Sequence, residues 1–222
     1  PVAGRPIVNL SFALNYAFGG LTETGYHVVN LAIHIACALL LFGIVRRTPG
    51  SPGPGGRAGP APFFAAVVAL LWMVHPLQSE VVNYVTQRSE SLMALFLFLT
   101  LYGAIRAAES PAWRALSVIA CACGMASKES MVVAPIVVVL YDRAFLFDSV
   151  SDAIRKRTHL YAGLAATWVV LAALAWNTPR STVGVTAAVG SWTYLLNQAQ
   201  MIGRYLRLSV WPDALVLDYG LP

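Results

Sequence analysis

The chain has 222 residues, 58% of them hydrophobic and 11% charged, with a net charge of +5 and a mean hydropathy of +0.65. A soluble domain carries about 25% charged residues, so this composition excludes an ordinary soluble globule and describes a polytopic membrane protein. The basic residues stand at the ends of apolar segments, which reads as membrane topology and not as a nucleic-acid surface.

Residues 1–26 read as an extramembrane segment, with Ile7 to Phe18 forming a short amphipathic helix at the interface. The first span is His27 to Val45, about 28 Å of helix and enough to cross a bilayer core. His27, Asn30 and His34 recur at helical spacing on one face. They serve either as hydrogen bonds between helices or as a polar face toward a cavity. Arg46-Arg47 closes the span, and a Pro/Gly-rich loop follows from Thr48 to Pro62. The second apolar stretch starts near Pro62 and meets His75-Pro76 after about a dozen residues, too few to cross a ~30 Å core. It either continues through a proline kink or stops in a protein-lined cavity.

From His75 to Ser91 the chain is polar, carrying Glu80, Arg88 and Glu90 between two uncharged stretches. Ionisable groups at membrane depth are costly and usually face a protein interior or an aqueous cavity. The other reading of this stretch is an ordinary extramembrane connector. A third span covers Ser89 to Ile105 and a fourth Ala112 to Ala126. Ser127-Lys128-Glu129-Ser130 interrupts the apolar run before a fifth span that ends near Leu146, with Tyr141-Asp142-Arg143 close to its end. A basic loop carrying Arg155-Lys156-Arg157 leads to a sixth span, Thr158 to Trp176. Trp192 to Trp211 holds Asn197, Gln198, Gln200, Arg204 and Arg207, too polar a set for a lipid-facing span, and reads as amphipathic or re-entrant. The fold expected is an all-α polytopic bundle of about six spans plus this helix. It divides into an extracytoplasmic segment 1–26, a bundle 27–177 and an extracytoplasmic loop with an amphipathic helix, 178–222.

With the N-terminus outside, the dense basic clusters fall inside, and His75–Arg88, Lys128-Glu129 and Asp218-Tyr219 share the outer face. Arg88 and Lys128 are the candidates for binding a phosphate, one as a planar fork and the other as a point charge. His75, Glu80, Glu90 and Glu129 orient these cations or move protons, with Asn30, His34 and Asp218 lining the cavity. The carboxylates and cations also pair with one another, which is the plainer reading of the same residues. A phosphate held beside a bilayer suggests a polyprenyl-phosphate sugar. The sequence has no Walker loop, GxSxG, HExxH or dinucleotide turn, so nucleotide-driven chemistry is not indicated. Cys37, Cys121 and Cys123 lie inside apolar segments and read as packing residues, with no metal or disulfide framework.

Arg5-Pro6, Leu14-Asn15-Tyr16-Ala17, Gly25-Tyr26-His27-Val28-Val29-Asn30 and His34 together resemble the opening of the membrane region of the transmembrane-and-tetratricopeptide-repeat family. His75-Pro76 with Ser79-Glu80-Val81-Val82, Arg88-Ser89-Glu90, Ser127-Lys128-Glu129 and Tyr141-Asp142 continue the resemblance. Tyr205-Leu206-Arg207-Leu208, Trp211-Pro212 and Leu217-Asp218-Tyr219 resemble its bacterial branch. The resemblance implies a GT-C membrane fold and a glycosyltransferase of the bacterial inner membrane, with its active face extracytoplasmic. It implies no cofactor beyond the lipid-linked sugar donor, and a protein or glycan acceptor. It also places the tetratricopeptide repeats after Pro222 and the acidic catalytic loop before Pro1, with Glu23 a poor substitute within the chain. The alternative is a non-catalytic polytopic protein, a flippase of lipid-linked sugars or a scaffold.

Overall fold

The computed structural model describes residues 4–48, 61–177, 191–213 and 215, and every regular element among them is helical. Helix α1, Pro6–Gly19, begins with proline in its first turn, where no N–H is needed, and ends at Gly20. Gly20 has φ 61° and ψ −136°, a conformation open in practice only to glycine. Helix α2, Glu23–Arg47, starts ahead of the expected His27 and runs to the arginine pair, with Glu23 in its first turn and Arg46 and Arg47 in its last. That placement complements the helix dipole at both ends.

Helix α3, Pro62–Val74, stops where the sequence placed a break. His75 precedes Pro76, and the proline ring disfavours helical geometry at the residue before it. His75 accordingly has ψ 131°, and the chain stops instead of continuing through a kink. A short helix α4, Gln78–Asn83, and a 3-10 turn, Val85–Gln87, lead into α5, Arg88–Arg106. Helix α6, Pro111–Met125, is capped by the Ser110 side chain, which accepts from Ala112 N–H at 3.2 Å. After a 3-10 turn, Glu129–Val133, come α7, Ala134–Phe145, and α8, Val150–Asn177, which is kinked at Arg157 (φ −124°, ψ 27°). Helix α9, Ser191–Val210, forms where an amphipathic helix was expected.

Helix α5 is central, packed between α2 and α6. Helix α3 lies on α2, α8 lies on α6, and α7 lies on α8. The α5–α6 approach is close because Gly103 has no side chain: a Cβ there would meet the Ser117 backbone at 3.0 Å. Ser117 Oγ donates to Thr100 O across the same contact at 2.8 Å. The apolar core gathers Ala104, Cys121, Met125, Met131, Val138, Leu160 and Leu164. The exterior is apolar as well, with Phe63, Leu71, Val169 and Trp176 all exposed. A surface of this kind is unfavourable in water and suits lipid.

Among the described residues three helices are long and apolar enough to cross a membrane: Glu23–Arg47, Val85–Arg106 and Val150–Trp176. The expected count of six is not reached among the described residues. Pro62–Val74 and Pro111–Met125 are apolar but short, and the fifth stretch yields only the 12-residue α7 because a 3-10 turn takes its first residues. Helix α9 has the length but is not among the three.

Candidate functional site

At one end of the bundle the chain before α1, the start of α5 and the α6–α7 connection converge. Ile7 N–H donates to Ala126 O at 3.3 Å and so ties the N-terminal segment to the end of α6. Arg5 then reaches Glu129, with Nη2 to Oε2 at 3.1 Å, and Ser89, with Nη1 to Oγ at 3.4 Å. Lys128 contacts Glu90 directly. Two cations and two carboxylates from three separate segments therefore form one partly exposed cluster. Burial and the neighbouring Arg5 guanidinium pull Lys128 below the ordinary lysine range, with Glu129 acting against them. Arg5 is the member that sequence reasoning missed. It was noted only within Arg5-Pro6, and its partners lie more than eighty residues away.

Arg88, expected to face a phosphate, is wholly enclosed instead. Its Nε donates to Asn30 Oδ1 at 2.8 Å, and its Nη2 to Asn15 Oδ1 at 3.0 Å and Tyr26 O at 2.9 Å. The guanidinium carbon lies 4.6 Å from the Phe12 ring centre and 5.5 Å from that of Tyr26. The acceptors are amide and backbone oxygens, and the aromatic faces add cation–π attraction. This arginine fastens α1, α2 and α5 together and leaves no open face for a ligand. Asn30, on the polar face of α2, is accordingly a hydrogen-bonding group inside the bundle. His34 serves the same way, with Nε2 donating to Met73 O at 2.9 Å and the ring stacked on Trp72.

The remaining candidates lie apart from the cluster. His75 Nδ1 accepts from Leu77 N–H at 3.2 Å and shapes the end of α3. Glu80 accepts from Gln87 Nε2 at 2.8 Å on the α4 side. Among the described residues no hydrogen bond or ion pair joins either of them to Arg5, Lys128, Glu90 or Glu129. Asp218 lies outside the described residues. No group of three His, Cys, Asp or Glu side chains that could hold a metal occurs among the described residues. An apolar groove of about 430 Å³ runs between α7 and α8, lined by Pro135, Ile136 and Trp168 and extending to Thr158 and Tyr161, and none of the cluster residues lines it. Trp168 Nε1 donates to Val132 O at 3.0 Å, which anchors the groove to the 3-10 turn that follows Lys128.

The chain is similar to several curated proteins. It is 35% identical over 103 residues to Protein O-mannosyl-transferase TMTC4 of Mus musculus, and 36% identical over 111 residues to that of Homo sapiens. These matches cover 45% and 46% of the chain but only 14% of each relative. Protein O-mannosyl-transferase Tmtc2 of Drosophila melanogaster matches 98% of the chain at 26% identity, over 24% of its own length. The chain thus spans a small part of the curated relatives it matches. No family model matches it, and no solved structure does.

At the opposite end of the bundle Asp142, from the Tyr141-Asp142 motif, is fully buried. It receives Arg157 Nη1 at 3.2 Å and Tyr161 OH at 2.5 Å. Arg47 and Arg106 both pair with Glu109 there, and Arg106 stacks on Trp113 at 3.7 Å.

Proposed function

We propose that the chain is the membrane region of a GT-C-type glycosyltransferase of the transmembrane-and-tetratricopeptide-repeat family. It moves a sugar, mannose by analogy with its relatives, from a polyprenyl-phosphate donor to a protein or glycan acceptor. The observation that carries this reading is the joining of Arg5 and Lys128 in one charged cluster at a bundle end, in a chain similar to O-mannosyl-transferases.

In such a transfer the bond between the sugar C1 and the phosphate oxygen breaks, and the acceptor oxygen bonds to C1. The acceptor's proton passes to a carboxylate, and the lipid phosphate leaves with the bonding electron pair. Negative charge grows on the phosphate, so fixed cations help most in the transition state. Lys128 and Arg5 supply them, while Glu90 and Glu129 hold both side chains in place when no donor is bound. The α7–α8 groove takes the prenyl chain. Arg88 is a positioning residue that fixes α5, and with it Ser89 and Glu90. The base of the transfer is a carboxylate. We place this end of the bundle on the extracytoplasmic face of a bacterial inner membrane, because Arg46, Arg47, Arg106, Arg155 and Lys156 gather toward the other end.

The test is transfer of labelled mannose from polyprenyl-phosphate mannose to acceptor protein by the full-length enzyme. Transfer that depends on Lys128 supports the reading. A folded full-length protein that transfers no sugar from any polyprenyl-phosphate hexose overturns it in favour of a flippase or scaffold.

A further inference from the structure

A second cationic feature lies at the opposite end of the bundle and takes no part in the proposed transfer. A cavity of about 280 Å³ opens between the α5–α6 turn, α6 and the beginning of α8, lined by Arg114, Phe147, Lys156, Arg157 and His159. Among the described residues no carboxylate lines it. Asp152, which pairs with Lys156 at 2.9 Å and Arg155 at 3.4 Å, is not among the lining residues. Asp142, the buried partner of Arg157, is not among them either. Arg114 has no ion pair among the described residues. Phe147 sets the geometry, since Lys156 Nζ and the Arg157 guanidinium carbon each lie 5.5 Å from its ring centre. The cavity therefore holds more positive charge than its own partners neutralise.

Its position along α8 selects the ligand. The helix is kinked at Arg157. The five residues before the kink, Asp152 to Lys156, include three charged side chains, Asp152, Arg155 and Lys156, and those after it, Thr158 to Trp176, carry no Lys, Arg, Asp or Glu. The helix changes from water-compatible to lipid-compatible at this one residue, so the cavity sits at headgroup depth. We propose that it binds the phosphate group of an anionic membrane lipid, with Arg114 and Lys156 as the principal contacts and Arg157 held as the rear wall by Asp142. The site depends on the chain being membrane-embedded and not on the glycosyltransferase reading.

The experiment uses the full-length protein in nanodiscs of equal phosphatidylglycerol and phosphatidylcholine, with retained lipid counted by native mass spectrometry after release. Wild type is expected to retain phosphatidylglycerol preferentially. Arg114→Gln and Lys156→Gln should each cut that preference about fivefold, as expected for removing one interfacial cation, while Arg204→Gln should leave it unchanged. Inorganic phosphate at millimolar concentration should compete with the retained lipid. Equal retention of both lipids by wild type overturns the proposal, as does an unchanged preference in both variants. Thermal protection by inorganic phosphate without any lipid retention overturns the lipid as its source. Retained mannose transfer in the variants separates a failure here from a failure of the proposed function.

Discussion

Arg88 Nε donates to Asn30 Oδ1 at 2.8 Å in the closed interior of the bundle, joining the polar start of α5 to the polar face of α2. Neither residue could sit there alone, since a buried guanidinium needs acceptors and a buried amide needs a donor. Asn30→Ala should lower the unfolding free energy in detergent by about 1.5–3 kcal/mol, the value of a hydrogen bond to a charged group. Arg88→Lys should be similarly costly, because an ammonium cannot serve acceptors on three sides as the planar fork does. A neutral result for both would mean that the interior is wet.

Turnover should separate Lys128 from Arg88. Lys128→Gln is expected to cost about 2.7–4 kcal/mol of transition-state stabilisation with little change in melting temperature, and Lys128→Arg should recover part of the loss. Arg88→Gln should instead lower the melting temperature as well as activity. Parallel measurements of kcat and thermal unfolding check both.

The depressed Lys128 pKa gives a pH dependence. The cation is the working form, present below its pKa and lost above it. The alkaline fall in kcat/KM should therefore begin at a lower pH than an ordinary lysine would set. Lys128→Arg should move that limb upward, because a guanidinium stays protonated throughout. A limb that does not move assigns it to another group.

At the opposite end, Asp142→Asn should destabilise by up to about 3 kcal/mol, since it leaves the partly buried Arg157 without its counter-charge. The double replacement Asp142→Leu with Arg157→Leu should cost less than the sum of the single changes. A double-mutant cycle on unfolding in detergent measures the coupling.

Sidedness is directly accessible. In a variant lacking the native cysteines, an impermeant thiol reagent on intact cells should label a cysteine at Ser79 and not one at Ser151. The reverse pattern sinks the extracytoplasmic assignment.

Features encoded locally could be read from the sequence, and features made by tertiary contact could not. His75-Pro76 stops a helix through its own backbone sterics, and Lys128-Glu129 breaks an apolar run through its own charge. The enclosure of Arg88 needs Asn15, Tyr26 and Asn30, which only the fold brings together, so its charge alone suggested an exposed ligand. Arg5 escaped notice for the same reason. The span count suffered because apolar length does not distinguish an α-helix from a 3-10 turn, and the Glu129–Val133 turn shortened the fifth helix.

On the proposed reading, the early stop of α3 has a consequence for how the lipid-linked donor would approach. Met73, next to the last residue of α3, accepts from His34, which lies eleven residues into α2 or about 16 Å along its axis from Glu23. Among the described residues, the short α4 and the turn before Arg88 fill that side, so the wall of the bundle has a low sill there. On the proposed reading, a headgroup arriving sideways from the bilayer would meet α4 and this turn below the rim that α2 defines. Lengthening α3 past His75 would raise the sill, and would obstruct entry without touching a single charged residue of the site.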